Sequence, residues 1–593
     1  MKWYFQPHPD GGAERDDDEV SAPGLLGLPA ALLQRHGGRV LDPARAPIVD
    51  GYPSPAPTVY RARTLLVPGE LLQDVDFITP ANEVLQLAGM RLVPPGEGAD
   101  ADLDTDRGDQ QVFAALRGLP RPAALVPVPG HRRPVDIDAW TALQMLRAAT
   151  IAGNRAADGS EAPEQIIIDK TKVERIELEH LLIGSAITGS PVDESGGGIS
   201  GGSGNGSDVS GPSTTDAYLF SGGDPRTPIA VVLDPPARRP DPECESRYGG
   251  RPVIAVLDTG VRAHRWLDVS PNPAGGYTMA PDGFVAIDHK IQAAIRKESR
   301  RAAADGDKPR QVIEHAWDTP VADNPLIGEL NPALGHGTFI AGIVRQVAPD
   351  ARVLAVRVMC SDDVLYEGDI ICALGHLAKR IALAEQDDLV AQVHVISMSF
   401  GYYSESPHDT VVTSGLWQAI QVLLSLGVAV VAAAGNYASR RRFYPAAFAL
   451  ESVPDGQVPV ISVGALNPNG TKAMFSNDGS WVTAWAPGGC VVSTYPTDVD
   501  ASRTPELRMP VNRMPAGEWP PGREALDPND YSAGFAVWSG TSFSAPYGAA
   551  LVADHLMAGA MRSGSGLKLN TPGTEQKRRR AVAALDGLPR RIT

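Results

Sequence analysis

The sequence predicts an α/β fold, in which a parallel sheet is covered by helices on both faces, preceded by a smaller α+β N-terminal module. Three observations support this prediction. Short runs rich in Val, Ile and Ala alternate with helical stretches between residues 253 and 463, as in parallel sheets buried on both faces. A segment rich in Gly and Ser, residues 184–223, interrupts the chain before this region. A separate, shorter group of strands and helices lies ahead of that segment.

The N-terminal module is predicted from short local patterns. Strands are predicted at 63–67, 90–93 and 123–128, and helices at 80–88 and 136–149. Pro80 is placed in the first turn of its helix, where its missing N–H costs little. Residues 1–57 are rich in Pro, Gly and Asp and show no sustained period, so they are predicted to form an irregular arm.

The Gly- and Ser-rich segment marks the clearest boundary in the chain. It buries little apolar surface and would lose much backbone entropy if ordered, which is typical of a flexible linker. We therefore predict five parts: the arm (1–57), the α+β module (58–183), the linker (184–228), the α/β domain (229–560) and a basic tail (561–593).

The elements of the α/β domain follow one another regularly. Strands are predicted at 253–257, 353–358, 393–398, 428–433 and 460–463, and helices at 337–346, 368–385 and 412–426. This repetition predicts a parallel sheet, and sheets of this kind place functional groups at the carboxyl ends of their strands.

Composition and charge exclude several classes of protein. The 593 residues are 43% apolar and 21% charged, as in ordinary globular chains. A formal net charge of −17 argues against nucleic acid or an anionic membrane as partner. The four cysteines show no zinc-ligand spacing, and the first residues lack the apolar run of a secretory signal. We expect a cytoplasmic location.

Four polar residues lie where strands end or helices begin. Asp258 directly follows the strand at 253–257. Asn436 follows the apolar strand predicted at 428–433. His336 lies between two glycines at a helix start, and Ser542 lies in a Gly-Thr-Ser motif at another. Taken singly, each has a plainer interpretation: a helix cap, a buried histidine, a turn or an N-cap serine.

Together the four residues indicate nucleophilic catalysis. A histidine at a helix N-terminus feels a dipole that disfavours its protonated form, and a general base must be neutral. A serine at a helix start is exposed beside backbone N–H groups that can stabilise an oxyanion. The Asn436 amide can donate to the same developing charge.

In the order Asp, His, Asn, Ser, these motifs resemble those of subtilisin-like serine proteases, the subtilases of the peptidase S8 family, over about residues 250–560. The resemblance implies a subtilisin-like fold, and we expect catalysis without metal or other cofactor. It makes Ser542 the nucleophile, His336 the general base and Asp258 the residue that orients the imidazole. The Asn436 side chain and the Ser542 backbone N–H would form the oxyanion hole.

The resemblance also implies that substrate binds as an extended strand between two edge segments. These are Ser399, Phe400 and Gly401 on one side, Leu365 and Tyr366 on the other, with Ala433, Ala434, Gly435 and Phe443 completing the cleft. Phe443 would shorten the pocket for the residue before the cleaved bond and favour a small one, and Arg440 to Arg442 would favour an acidic one. The alternative is a core phenylalanine beside three surface arginines.

Two departures from the family pattern lead to further expectations. The helix after His336 runs on without the calcium-binding loop of many subtilases, so we expect no calcium there. Inserts near 271–330 and 500–535 would restrict access to the cleft. The first contains a basic helix over 290–304, for which a solvated surface helix is the alternative.

We therefore predict a serine endopeptidase that cleaves peptide or protein substrates through an acyl-enzyme. Its N-terminal module would cover the active site in a zymogen and act as an intramolecular partner. Two alternatives remain open: a macrocyclase or transpeptidase using the same triad, and a latent regulatory protein acting through its N-terminal module.

Overall fold

The computed structural model describes most of the chain, and all structural statements below concern the described part. That part comprises residues 4–5, 28–93, 110–130, 135–151, 166–186, 218–220, 225–304, 309–319, 322–324, 326, 329–384, 392–406, 411, 413–501, 507–509, 523–562, 568–569 and 574–586.

Strands and helices are numbered here in chain order. The strands are β1 Tyr4–Phe5, β2 Gly38–Leu41, β3 Thr58–Pro68, β4 Met90–Val93, β5 Pro120–Pro127, β6 Glu177–Gly184, β7 Arg226–Pro228, β8 Val253–Asp258, β9 Val269–Pro271, β10 Tyr277–Met279, β11 Val285–Ile287, β12 Ala322–Asn324, β13 Glu329–Leu330, β14 Arg352–Arg357, β15 Val364–Tyr366, β16 Val395–Met398, β17 Phe400–Gly401, β18 Ala429–Ala433, β19 Ile461–Leu466, β20 Ala484–Pro487, β21 Val491–Thr494 and β22 Phe535–Trp538. The helices are α1 Ala30–His36, α2 Gly69–Gln73, α3 Val75–Gln86, α4 Gln110–Gly118, α5 Ala139–Ala148, α6 Lys170–Val173, α7 Asp241–Glu243, α8 His289–Ala304, α9 His336–Val347, α10 Glu367–Ala384, α11 Gly415–Ser425, α12 Thr541–Arg562 and α13 Thr574–Asp586.

The largest sheet has eight strands in the order β1-β20-β19-β18-β16-β8-β14-β11, and all pairs except β1 with β20 are parallel. Alternate residues of β8 point to opposite faces, as the pleat requires. Ala255 and Leu257 belong to the core that includes α10 and α11, whereas Ile254 and Val256 belong to the core that includes α9 and α12. The predicted α/β sheet with helices on both faces is confirmed.

The N-terminal residues form a second, antiparallel sheet. Its order is β15-β6-β3-β5-β4, with β2 on β3 and β17 on β6. Helices α3 and α5 pack on one face, while Val59, Leu66 and Leu181 join the core around α10. Two strands of this sheet, β15 and β17, come from the α/β domain, so the module and that domain share one sheet.

Local details differ from the sequence predictions in the first part of the chain. The helix predicted to open at Pro80 begins at Val75, because Asp74 caps it by accepting a hydrogen bond from the Asp76 N–H (3.0 Å), and Pro80 lies in its interior. The arm predicted as irregular contains α1 and β2. Strand β2 is stabilised by pairing with β3, a contact that local composition does not record.

Two basic segments pack on the α/β domain. Helix α8 buries Ile291 and Ile295 against the core that includes α10. The basic helix predicted at 290–304 therefore exposes one face to solvent and packs the other on the domain. Helix α13, within the basic tail, buries Ala581 and Leu585 in the core shared with α12. Among the described helices, none is both long and apolar enough to cross a bilayer.

Candidate active site

Asp258 and His336 meet where β8 ends and α9 begins. The His336 Nδ1 lies 2.8 Å from one Asp258 carboxylate oxygen and 2.9 Å from the other, and both side chains are buried. The helix comes this close to the strand because residue 337 is glycine, since a Cβ there would overlap the Gly260 carbonyl. The carboxylate therefore holds the imidazole with Nδ1 as donor.

The charge state of His336 is governed by this contact. Burial alone would lower the pKa of His336, but the charge and hydrogen bond of Asp258 outweigh it and raise the pKa above the ordinary value. The helix dipole, from which the sequence predicted a lowered pKa, acts more weakly than a carboxylate in direct contact.

Sequence reasoning missed Asp318, which supports the turn before His336. It is buried within the first insert and accepts hydrogen bonds from the Gly335 N–H (2.7 Å), the Ser361 hydroxyl (2.8 Å) and the Thr259 hydroxyl (3.2 Å). No local pattern distinguishes this aspartate from others in an irregular segment.

Ser542 is buried in the first turn of α12, whereas the sequence predicted an exposed serine there. Its hydroxyl donates to the Ser399 carbonyl (3.1 Å), whereas His336 Nε2 is buried and has no hydrogen-bond partner in the described part of the chain. The aromatic rings of Trp538 and Phe543 pack against the imidazole at 5.6 and 5.5 Å between centroids. The structure thus brings the predicted serine and histidine into one site without a hydrogen bond between them.

The two predicted oxyanion donors converge on one carbonyl oxygen, and that oxygen belongs to Ser185. It accepts from the Ser542 backbone N–H (2.8 Å) and from Asn436 Nδ2 (2.6 Å). Thr541, which sequence reasoning did not single out, orients the amide: its N–H and its hydroxyl each donate to Asn436 Oδ1 at 2.9 Å. Its position next to the serine in the Gly-Thr-Ser motif was the available signal.

Strand β6 leads into this site between the two predicted edge segments. It runs antiparallel to β15, with Leu182 opposite Leu365 and Leu181 opposite Tyr366. It also pairs with β17, with Gly184 opposite Phe400. Gly184, Ser185 and Ala186, the first residues of the predicted linker, lie in the cleft.

Ser185 and Gly184 are also held by their backbone N–H groups. These donate to the carbonyls of Ser399 (2.9 Å) and Asp363 (3.1 Å). Gly540 makes the approach possible, because a Cβ there would lie 2.6 Å from the Ser185 oxygen. The next peptide bond, Ser185–Ala186, therefore lies directly at the Ser542 N–H.

The site leaves little room for side chains. A Cβ on residue 184 would lie 2.9 Å from Asp363 Cγ and closer still to Oδ1, so a side chain there would displace the Asp363 carboxyl. Asp363 is buried beside His336, and burial raises the pKa of its carboxyl to about 8, with Asp258 adding to the effect. This aspartate was not identified from the sequence.

Phe443 lies beside Gly401 on the predicted edge segment. It is buried, packs edge-on against Tyr403 at 5.1 Å, and lies so close to Gly401 that a Cβ there would be 2.8 Å from its Cδ1. Arg441, by contrast, donates to the carbonyls of Pro57 (2.6 Å) and Ser404 (2.8 Å). The ring thus reduces the space beside Gly401, while this arginine is held by backbone groups.

The remaining predicted cleft residues form the end of β18 and the turn after it. Ala433 and Ala434 are fully buried, and the Gly435 N–H donates to the Thr541 hydroxyl at 3.0 Å. They set the position of Asn436 relative to the start of α12.

Comparison with known proteins agrees with this geometry. Residues 249–562 match the model of the Subtilase family. This is more than half of the chain, which therefore belongs to the subtilase family.

Individual relatives cover less of the chain. It is 27% identical to an extracellular protease of Xanthomonas campestris pv. campestris over 53% of this chain and 45% of that protein. It is 34% identical to subtilisin BL of Lederbergia lenta over 28% of this chain and 56% of that protein. It is also 34% identical to thermitase of Thermoactinomyces vulgaris over 28% of this chain and 54% of that protein. The chain spans about half the length of these curated relatives.

Among solved structures, a cold-adapted subtilisin-like serine proteinase shares 18% identity with the chain at a TM-score of 0.31, covering 56% of this chain and 82% of that one. A lanthipeptide protease shares 18% identity at a TM-score of 0.34, covering 56% and 87%.

Proposed function

We propose that this chain is a serine endopeptidase that hydrolyses peptide bonds through an acyl-enzyme. One observation carries the proposal: the Ser185 carbonyl oxygen accepts hydrogen bonds from the Ser542 N–H and the Asn436 amide, the two donors that would stabilise an oxyanion. Asp258 and His336 form a buried acid–base pair in the same site.

In this proposal the Ser542 hydroxyl leaves the Ser399 carbonyl and attacks the substrate carbonyl carbon, while His336 Nε2 takes its proton. The buried Nε2, which has no hydrogen-bond partner among the described residues, is suited to that role. Asp258 stabilises the resulting imidazolium. His336 then passes the proton to the leaving amine, and a water molecule hydrolyses the acyl-enzyme by the same steps.

The first substrate in this proposal is the chain itself. Strand β6 occupies the cleft in an extended conformation, so the bond presented for cleavage is Ser185–Ala186. Until that bond is cut and the module leaves, no other peptide can bind in the same place. The module would thus act as an inhibitory prosegment, and Ala186 would become the new N-terminus at the start of the remaining linker.

Mass spectrometry of the expressed protein tests this step. We expect fragments 1–185 and 186–593 from the unmodified chain and one intact chain from Ser542→Ala. Ser246→Ala, which changes an exposed serine hydrogen-bonded to the Pro242 carbonyl and to no residue of the site, is the matched control and should be processed normally. Cleavage elsewhere, or cleavage that persists in Ser542→Ala, would contradict the proposal.

A fluorophosphonate probe tests the nucleophile directly. Labelling of the unmodified chain that is absent in Ser542→Ala is expected, because only an activated serine reacts. Labelling that appears only after cleavage at Ser185 would support latency in the intact chain.

The cleft is proposed to accept glycine followed by a small residue at the cleaved bond. A side chain at the position of Gly184 would have to displace the Asp363 carboxyl, and Phe443 reduces the space beside Gly401. A peptide library should therefore be cleaved mainly after Gly-Ser and Gly-Ala. Preference for large aromatic residues at the cleaved bond would refute this specificity.

The cytoplasm is the proposed location. Its support is that the four cysteines, Cys244, Cys360, Cys372 and Cys490, all lie in the described part of the chain as free thiols. Reducing compartments keep thiols in this state. Fractionation of the native cells, with detection of the chain in the medium as the contrary result, tests the location.

A further inference from the structure

His180 lies on the cleft strand as the sixth residue back from the cleaved bond, counting Ser185 as the first, and it is held between two carboxylates. Its Nδ1 lies 2.6 Å from Glu367 Oε2, and its Nε2 lies 2.7 Å from Glu405 Oε2. The ring stacks on Tyr402 with 4.2 Å between centroids. All three ionisable side chains are buried.

This arrangement requires a cationic ring. Ionised carboxylates only accept hydrogen bonds, so both imidazole nitrogens of His180 must carry a proton. Burial alone would lower the pKa of His180, but Glu367 and Glu405 outweigh it and raise the pKa to about 10. In the same way, burial would raise the pKa of Glu405, but His180 holds it below its ordinary value.

The groups that hold the cation belong to the α/β domain. Glu367 is the first residue of α10, and Tyr402 and Glu405 follow β17. They would remain with the active site when the module leaves, and the cation would leave with the module.

Other charged groups around the pair divide in the same way. Glu177 and Arg147 face the cluster from the module and would depart with it. Arg441 faces Glu405 from the α/β domain and would remain. Its guanidinium donates to the Ser404 carbonyl, which would stay, and to the Pro57 carbonyl, which would depart. The two carboxylates would then lose two of the three cations named here, His180 and Arg147, and keep Arg441.

The pocket also has an unused acceptor. Glu367 Oε1 is buried and has no hydrogen-bond partner in the described part of the chain. An imidazolium offers two donors, both of which are used here, whereas a guanidinium offers five. A buried acceptor without a partner costs free energy. A side chain with more donors could also donate to Glu367 Oε1 and so bind more tightly than histidine.

We propose that Glu367, Glu405 and Tyr402 form a substrate subsite for a cationic side chain, His, Arg or Lys, at the sixth position before the cleaved bond. This proposal rests on the proposed peptidase function. A peptide that follows the track of β6 pairs its fifth residue with Tyr366 and so brings its sixth to Glu367. A neutral or acidic residue there would leave two buried carboxylates without a counter-charge.

A competition experiment tests this on the full-length chain after its own processing. Two peptides with the sequence of residues 178–190, one with His180 and one with His180→Ala, are mixed at equal concentration, and early products are counted by mass spectrometry. Their ratio gives the ratio of kcat/KM whatever fraction of the clefts is open. We expect kcat/KM for the histidine peptide to exceed that for the alanine peptide by about 10- to 100-fold, the range of charge-assisted hydrogen bonds. The value for a His180→Arg peptide should equal or exceed that for the histidine peptide.

Two controls separate the subsite from general charge attraction. A peptide with alanine at 180 and Leu178→His carries the same imidazole outside the pocket and should be cleaved no faster than the alanine peptide. In the enzyme, Glu367→Gln with Glu405→Gln should bring the ratio close to one, and Glu405→Gln alone should lower it. Glu245→Gln, which removes an exposed carboxylate elsewhere, should leave the ratio unchanged.

The outcomes are distinguishable. Equal cleavage of the histidine and alanine peptides would overturn the subsite and leave the peptidase proposal standing. A preference that survives the double glutamine substitution would also overturn it, because another group would then be responsible. Failure to cleave any of the peptides by a chain whose Ser542 reacts with the fluorophosphonate probe would overturn both proposals.

Discussion

Replacing Gly184 by alanine should slow the cleavage of the chain after Ser185. The added methyl carbon would lie 2.9 Å from Asp363 Cγ and nearer still to Oδ1, whereas carbon atoms pack at about 3.5 Å or more. The carboxyl group would have to withdraw by more than roughly 0.6 Å within a buried site. Overpacking of this kind costs about 1–3 kcal/mol, so the rate should fall roughly 5- to 150-fold.

The assay is the time course of appearance of fragment 186–593 after synthesis of the full chain. Gly559→Ala is the matched control, because a Cβ there meets nothing within 4 Å. Asp363→Gly should restore cleavage of the alanine variant, since it removes the obstructing carboxyl, and the φ of +74° at this position suits glycine. Cleavage of Gly184→Ala at the unmodified rate would show that the strand is not cut in the register described here.

Three further predictions concern the active site. Because a general base must be neutral and the pKa of His336 is raised above 6.5, kcat/KM should fall as the pH drops through a midpoint above 6.5; a flat profile down to pH 5 would contradict this. Asn436→Ala should lower kcat by about 10²–10³ with little change in KM. Thr541→Val removes the hydroxyl that donates to Asn436 and should lower kcat roughly tenfold, whereas Thr541→Ser should restore it. Phe443→Ala should extend cleavage to larger residues in a peptide library. It should also lower the free energy of unfolding, measured with denaturant, by about 3–5 kcal/mol. An unchanged library profile would show that Phe443 does not line the pocket.

The sequence by itself determined the α/β fold and predicted the four residues of the catalytic site. Both rest on local information. The strands are short runs of β-branched residues, and Asp258, His336, Asn436 and Ser542 each lie at an element boundary beside glycine or a recognisable motif. Such patterns record interactions between neighbours in the chain, which is why they can be interpreted before the tertiary structure is known.

The tertiary structure alone decided what fills the cleft. The contact between Asn436 and Ser185 joins residues 251 apart, and His180 meets Glu367 and Glu405 across 187 and 225 residues. Nothing in the run Glu177–Gly184 states which strand will pair with it, because any extended backbone can form the same hydrogen bonds. Buried polar residues such as Asp318 and Asp363 also cannot be identified from the sequence, because their role depends on which distant groups the fold brings to them.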